Sequence, residues 1–488
     1  MSTIQVSNLT FYYDGSHEMI FKDVNFEIDT KWKLGFCGRN GRGKTTFLKL
    51  LMGEFEYRGC ITSDVNFDYF PFEVPNKTSN VLDLLVEIAP DAQEWQMNKE
   101  LSFLQVHEEV INRPFHTLSS GEQTKVLLVG LFLKAHHFLL IDEPTNHLDV
   151  DARRVVAKYL KRKSGFILVS HDRAFLDECT DHTLSINKTN IEIVKGNFSS
   201  WWEQTERQER FEFTQNEKLN EEISQMEKQV TRNKHWADAL VGKKYAFATD
   251  ARSPGSREAR LRRDAKRKEK QIREHIENKK KLLRNVEVKE ALAIHPLEDH
   301  SATPLLNLSH VSVRYGHRDV FQNLAFTLNQ GERLALMGQN GTGKSSVLKL
   351  LCGELTPHLG TVQVSRDLIV SYVPQDATFV AGQLADFARA SGIDLTLFKS
   401  ILLKLDFSLD QLEKEMSFYS AGQKKKVLMA KSLSEKAHLY IWDEPLNYID
   451  VLSRMQIEEL VLNDQPTMIF VEHDARFVER VATNVVTL

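Results

Sequence analysis

Gly38-Arg39-Asn40-Gly41-Arg42-Gly43-Lys44-Thr45 returns 300 positions later as Gly338-Gln339-Asn340-Gly341-Thr342-Gly343-Lys344-Ser345. Both copies fit G-x-x-x-x-G-K-[ST], the pattern of a phosphate-binding loop. Its glycines let backbone N–H groups close on a phosphate without a clashing Cβ, and the helix that follows turns its positive end towards the anion. Lys44 and Lys344 would place a point charge on the β- and γ-phosphates. The hydroxyls of Thr45 and Ser345 would serve Mg²⁺, and Thr46 and Ser346 continue each loop. Each loop lies between a strand (Leu34 to Cys37; Leu334 to Met337) and a helix (Thr45 to Met52; Ser345 to Cys352). One such motif arises by chance; two in matching contexts imply a duplicated nucleotide-binding domain.

The duplication extends along the chain. Two opening alternations (Ile4-Gln5-Val6; Val311-Ser312-Val313) precede the loops, and two apolar strands follow in each copy, Phe138 to Ile141 and Phe166 to Val169, then Leu439 to Trp442 and Met468 to Val471. Short β-rich runs alternating with helices imply an α/β fold, a largely parallel sheet covered by helices. Asp142-Glu143 and Asp443-Glu444 close the first strand of each pair. A carboxylate at such a strand end can reach Mg²⁺, and the next can position an attacking water. Asp142 and Asp443 are therefore candidate metal ligands, and Glu143 and Glu444 candidate catalytic bases.

At 488 residues the chain exceeds one ordinary core. The expected domains are 1–200 and 301–488, two tandem ATPase domains, joined by 201–300. The joining segment is poor in strand formers and rich in Glu, Lys, Arg and Gln. Leu219, Ile223, Met226 and Val230 form one heptad seam, and Ile272, Ile276, Leu283 and Val286 another. Gly242 and Ser253-Pro254-Gly255-Ser256 separate them, so two antiparallel helices of about 35 residues, roughly 50 Å long, are expected.

Charge is uneven. The total is −4, yet Lys228 to Arg284 holds 19 Lys and Arg against 7 Asp and Glu. A basic prong on an acidic body suggests a polyanionic partner. Trp236, Tyr245 and Phe247 near its tip could stack on bases. Lys243, Lys244, Tyr245, Phe247, Arg252, Arg257, Arg260, Arg262 and Arg263 are the candidate residues for that contact. Cys37, Cys60, Cys179 and Cys352 are far apart and read as reduced thiols of a cytoplasmic protein. Neither a secretory signal nor a run of about 18 apolar residues is visible, so no membrane partner is expected.

Further landmarks carry a resemblance. Leu118-Ser119-Ser120-Gly121-Glu122-Gln123 resembles the ABC signature, Asp142-Glu143-Pro144-Thr145-Asn146-His147-Leu148-Asp149 the strand-end and D-loop run of the ABC-F class, and Ser170-His171-Asp172-Arg173 its switch-histidine segment. The second copy has Tyr419-Ser420-Ala421-Gly422-Gln423, Asp443-Glu444-Pro445-Leu446-Asn447-Tyr448-Ile449-Asp450 and Glu472-His473-Asp474. The resemblance implies a monomer whose two domains sandwich two ATP molecules with Mg²⁺. Lys44 would face Ser420 and Gly422, and Lys344 would face Ser119 and Gly121, with Glu122 and Gln423 beside them. It also implies that Tyr13 and Tyr315 stack on adenine, that His171 and His473 contact the γ-phosphate, and that Gln375 ligates Mg²⁺. Three positions depart from the pattern. Phe72 stands where the second copy keeps Gln375, Tyr419 replaces Leu, and Leu446 replaces Thr. Phenylalanine cannot hold a metal or a water, so unequal sites are expected.

Both ATPase domains in one chain, a basic hairpin and no membrane span argue against a transporter subunit. A DNA-acting relative would be expected to add a C-terminal coiled coil beyond Asp474. Within the ABC-F class, Thr45 to Leu118 and Ser345 to Tyr419 span nearly equal lengths, leaving no room for the inserted arm common in general translation factors. Trp32-Lys33-Leu34-Gly35, Gly422-Gln423-Lys424-Lys425-Lys426 and Tyr440-Ile441-Trp442-Asp443 resemble the Lsa-type resistance proteins. That resemblance implies a ribosomal partner, with the candidate residues of the prong binding RNA through contacts to 23S rRNA and tRNA near the exit and peptidyl sites, and protection from lincosamides, pleuromutilins and streptogramin A. A general translation factor is the alternative.

Overall fold

The computed structural model describes residues 2–13, 19–74, 76–146, 148–187, 190–244, 267, 292–297, 304–315, 318–339, 341–355 and 359–488. The chain divides into two compact units, Met1–Trp201 with Glu290–Leu488, and Trp202–Lys289.

The first unit contains both halves of the repeat. In the first half a six-stranded sheet runs in the order Asn66–Phe70, His137–Asp142, Phe166–Val169, Lys33–Cys37, His182–Asn187, Asn190–Lys195. Five strands are parallel and the last is antiparallel. The second half has five parallel strands, Val370–Val373, Leu439–Asp443, Met468–Val471, Arg333–Met337 and Asn484–Thr487. Both sheets are the α/β arrangement expected from the sequence.

The strand Leu439–Asp443 is buried along its whole length. Alternate residues leave opposite faces of a strand. Tyr440 and Trp442 accordingly enter one apolar cluster with Val427 to Ala430 of the signature helix. Leu439 and Ile441 enter another with Val347 and Leu348 of the helix after the phosphate loop. Helices on both faces are what a continuous apolar strand requires.

Each half also carries a three-stranded antiparallel sheet, which the periodicity reading reduced to one opening strand. The orders are Met19–Asp29, Thr3–Tyr12, Arg58–Ser63 and Arg318–Leu328, Leu306–Tyr315, Leu359–Val364. These strands are half-exposed, so their mixed residues resemble loops in sequence. Phe47 ties this sheet to the parallel one in the first half. It is fully buried and meets Phe21, Phe26 and Phe36 at ring-centroid distances of 6.1, 5.7 and 5.6 Å. Phe47, in the first turn of Lys44–Leu51, thereby fixes the helix that carries Lys44 and Thr45.

The halves are joined by contacts far apart in sequence. Arg39 pairs with Asp406 at 2.7 Å, and Asn40 Nδ2 donates to the carbonyl of Tyr448 at 2.9 Å. Arg173 donates to Glu458, where both side chains are buried. Arg476 pairs with Asp177 at 2.9 Å.

One helix, Phe198–Lys244, 47 residues or roughly 70 Å, starts at the end of the first unit's segment Met1–Trp201 and continues through the second unit. This corrects two expectations. The helix is longer than about 35 residues, and Gly242 does not interrupt it. A lone glycine costs about 1 kcal/mol in a helix, too little to stop one of this length. Leu219, Ile223 and Met226 lie on it. The second seam, from Ile272 to Val286, lies outside the described residues. Among the described residues no helix is long and apolar enough to cross a membrane.

Candidate nucleotide sites

Both phosphate loops take the backbone that their glycines permit. Gly41 and Gly43 have φ of 83° and 93°, and Gly341 and Gly343 have 85° and 97°. A Cβ on Gly43 would lie 2.5 Å from Ile20 Cγ2. The loop is thus pressed against the antiparallel sheet as well as turned through left-handed space. Lys44 Nζ donates to the carbonyls of Gly38 and Arg39 at 2.7 and 3.2 Å. Lys344 Nζ donates to those of Gly338 and Gln339, both at 2.9 Å. Thr342 Oγ1 donates to the Gln339 carbonyl, while Arg42 closes a backbone turn onto Arg39. Asn340 lies outside the described residues.

The metal-ligand candidates converge. Thr45 Oγ1 donates to Asp142 Oδ2 at 2.9 Å, and Tyr69 OH donates to the same oxygen at 2.9 Å. Ser345 hydrogen-bonds the Asp443 carboxylate. Asp443 is 1% exposed, yet its Oδ1 has no hydrogen-bond partner. A buried carboxylate oxygen without a donor is costly. Beside a serine hydroxyl and a phosphate loop, its donor set suits a hard cation such as Mg²⁺.

The two glutamates occupy left-handed backbone, φ 51° at Glu143 and 46° at Glu444. Such φ values are uncommon for non-glycine residues and often mark functional sites. Their surroundings differ. Glu444 Oε2 accepts from Gln375 Nε2 at 2.9 Å and from Asn447 Nδ2 at 2.5 Å, and its Oε1 lies 3.2 Å from His473 Nε2. Burial opposes ionisation of Glu444, but the bonds from His473 and Gln375 bring its pKa below the ordinary value. Glu143 Oε1 lies 3.4 Å from His171 Nε2 and has no hydrogen-bond partner. Burial, reinforced by Asp142, pushes its carboxyl up to about 8. Burial holds His171 well below its usual value, so that ring is neutral. Phe72, where the second half has Gln375, gives Glu143 no donor.

The structure brings residues of opposite halves together. A cavity of about 670 Å³ is lined by Lys344, Ser345, Ser346, Tyr315, Gln375, Glu444 and His473 of the second half and by Ser120, Asn146 and Arg153 of the first. On the other side, a Cβ at Gly422 would lie 3.5 Å from Asn40 Nδ2. Each phosphate loop therefore adjoins the other half's signature segment. Ser119 and Ser420 cap the signature helices Ser120–Leu133 and Ala421–Ser434. Glu122 and Gln423 complete those caps by accepting from the backbone N–H of Ser119 and Ser420, both at 2.9 Å. A Cβ on Gly121, the second residue of its helix, would lie 3.4 Å from Leu148 Cδ2. Tyr13 OH is 2.7 Å from Thr46 Oγ1, and Tyr315 OH is 3.5 Å from Ser346 Oγ. Both rings are about half exposed at the edges of the phosphate loops, 41% and 50%.

Two departures have structural reasons. In the first half Thr145 Oγ1 and Ser170 Oγ lie 3.2 Å apart. In the second, Leu446 has no hydroxyl, and Glu472 instead accepts from the Leu446 N–H at 2.7 Å. Tyr419 is buried against Phe407, and its hydroxyl donates to the Gln411 carbonyl at 2.5 Å. Sequence reasoning missed Tyr69, Asn447 and Arg153. Arg153 Nη1 donates to Asp172 and to the carbonyl of His473, at 3.2 and 3.3 Å. Of the candidate RNA-binding residues, Lys243 and Lys244 end the long helix. Tyr245, Phe247, Arg252, Arg257, Arg260, Arg262 and Arg263 lie outside the described residues, as does His147.

Phe72→Gln should offer the unbonded Oε1 of Glu143 an amide donor like the one Gln375 gives Glu444. In a Glu444→Gln background, phosphate release should rise by about 3- to 10-fold. Release no faster than in the parent would show that the amide is not what separates the sites.

A family model described as ABC transporter matches residues 21–146 and 321–447. The ribosome protection protein VmlR of Bacillus subtilis is 28% identical, over 96% of this chain and 84% of its own length. ATP-binding protein Uup of Caulobacter vibrioides is 27% identical, over 96% of this chain and 74% of its own. The probable ATP-binding protein YheS of Escherichia coli K12 is 27% identical, over 93% and 74%. The fold also occurs in an archaeal ribosome recycling factor solved with a stalk protein, at TM-score 0.63 and 20% identity, over 98% of this chain and 87% of that one.

Proposed function

Since this chain belongs to the ABC transporter family of ATPases, and within it to the ABC-F class, we propose that it couples ATP hydrolysis to protection of the ribosome from drugs bound at the peptidyl-transferase centre. The observation that carries the reading is the pair of composite sites, each phosphate loop adjoining the other half's signature. Nucleotide bound there bridges both halves, so binding closes them and hydrolysis lets them part.

Lys44 and Lys344 would neutralise β- and γ-phosphate oxygens, with loop N–H groups and Ser119, Gly121, Ser420 and Gly422 closing from the other side. Tyr13 and Tyr315 would stack on adenine. Thr45 with Asp142, and Ser345 with Asp443 and Gln375, would hold Mg²⁺, which neutralises developing phosphate charge when bound. Glu444, oriented by Gln375, Asn447 and His473, would hold the attacking water and take its proton. Glu143, whose Oε1 is unbonded beside His171, would do the same less well.

The partner would be the ribosome, engaged by a cytoplasmic monomer at the tRNA exit site. The basic segment from Lys228 to Arg284 would contact 23S rRNA and tRNA phosphates, and its tip, near Gly242 to Arg257, would approach the drug site. The likeness to VmlR supports this reading. Protection would cover lincosamides, pleuromutilins and streptogramin A. Expression in a drug-sensitive bacterium, followed by a panel of peptidyl-transferase inhibitors, tests it directly. Raised tolerance is expected, and unchanged tolerance to the whole panel contradicts protection. Deleting Lys243 to Ser256 should abolish tolerance while leaving basal ATPase activity intact. Full tolerance after that deletion would reduce the prong to a spacer.

A further inference from the structure

The signature helix Ala421–Ser434 carries a lysine with no equivalent in the first half. Lys425 stands three residues after Gly422, and Thr124 stands three after Gly121. Lys425 is 2% exposed. Its Nζ donates to three backbone carbonyls, Pro374 at 2.9 Å, Asp443 at 3.1 Å and Gln375 at 3.2 Å. Desolvating an ammonium group is expensive, and a buried one is tolerated only where hydrogen bonds and opposite charge compensate. Here three carbonyls from two separate segments provide the bonds.

Those segments belong to one site, while the helix serves the other. Pro374 and Gln375 lead to the amide that holds Glu444, and Asp443 precedes Glu444 on the strand end. The same helix begins at Ser420 and Gly422, beside Asn40 of the first phosphate loop. We propose that Lys425 is a positioning residue that links the signature segment of the first site to Gln375, Asp443 and Glu444 of the second. Closure of the signature on nucleotide at the first loop then sets the geometry in which Glu444 acts. Thr124 is too short to reach across in the same way, so the linkage runs in one direction. The inference rests on the proposed ATPase role of Glu444.

Lys425→Thr, which borrows the residue of the first half, and Lys425→Met, which keeps the apolar stem, test it in the full chain. Either should lower kcat for Mg²⁺-dependent ATP hydrolysis by about 10- to 100-fold and leave KM for ATP within about threefold. A loss of packing alone would not produce the next result. In a double-mutant cycle with Lys44→Ala, the two effects should fail to multiply, because removal of Lys425 already disconnects the first site. Effects that multiply to within about twofold would overturn the linkage. Should both Lys425 variants fail to fold, a Gln375→Ala and Lys44→Ala cycle probes the other end and must show the same non-additivity. Wild-type protein without Mg²⁺-dependent turnover would overturn the proposed ATPase sites themselves. Normal wild-type turnover with unchanged kcat in Lys425→Thr would overturn only the linkage.

Discussion

Replacing Glu143 and Glu444 together by glutamine should lower ATP turnover by roughly 10²- to 10⁴-fold, the contribution of a positioned general base. Nucleotide binding should survive, because the amide keeps the volume and leaves Lys44, Lys344 and both loops intact. The single variants should differ. Glu444 is held by Gln375, Asn447 and His473, whereas Glu143 has an unbonded oxygen and a raised pKa. Glu444→Gln should therefore remove most of the turnover and Glu143→Gln the smaller share. Steady-state phosphate release measures this, with fluorescent nucleotide titration as the binding control. Normal turnover by the double variant would remove both glutamates from the catalytic step.

Glu458→Ala should destabilise the joined halves by about 3–5 kcal/mol, the cost of stranding a buried charge. Glu458 is 1% exposed and accepts from Arg173, whose side chain is 4% exposed, and from Arg480, which is 54% exposed. Removing the carboxylate leaves Arg173 between the halves without its counter-charge. Removing the exposed Arg480 should cost under about 1 kcal/mol, because solvent takes over its role. Changing Arg173 and Glu458 together to methionine should recover much of the loss, since apolar residues of similar volume need no partner. Thermal unfolding midpoints of the four proteins give the comparison. A shift for Glu458→Ala no larger than for Arg480→Ala would mean that this pair does not hold the halves together. Ala157 and Ala475 occupy the matching positions of the repeat, so the pair exists on one side only.

The parts of the fold that could be read from sequence are those whose chemistry is local. A phosphate loop needs its glycines and lysine within eight positions, and a parallel strand covered on both faces needs a short apolar run. The half-exposed antiparallel sheets lack that signature. Contacts between the halves were illegible for another reason: Arg39 with Asp406 and Asn40 with Tyr448 are separated by 367 and 408 positions. No spacing rule reaches so far. Leu446 lacks the hydroxyl of Thr145, and only the structure reveals that Glu472 binds that segment through the Leu446 backbone N–H instead. Lys425 stands in a run of three lysines that gives no sign of burial in sequence, yet the signature helix carries it into the interior. In sequence Gly242 reads as a break because glycine is a poor helix former, but its small cost is spread over a helix of 47 residues.

The most direct measurement is co-sedimentation of the Glu143→Gln, Glu444→Gln protein with ribosomes through a sucrose cushion, with and without ATP. The account predicts that ATP drives the protein into the ribosomal pellet, and that added salt weakens this association as phosphate contacts are screened. Protein that stays in the supernatant in every nucleotide state would contradict it.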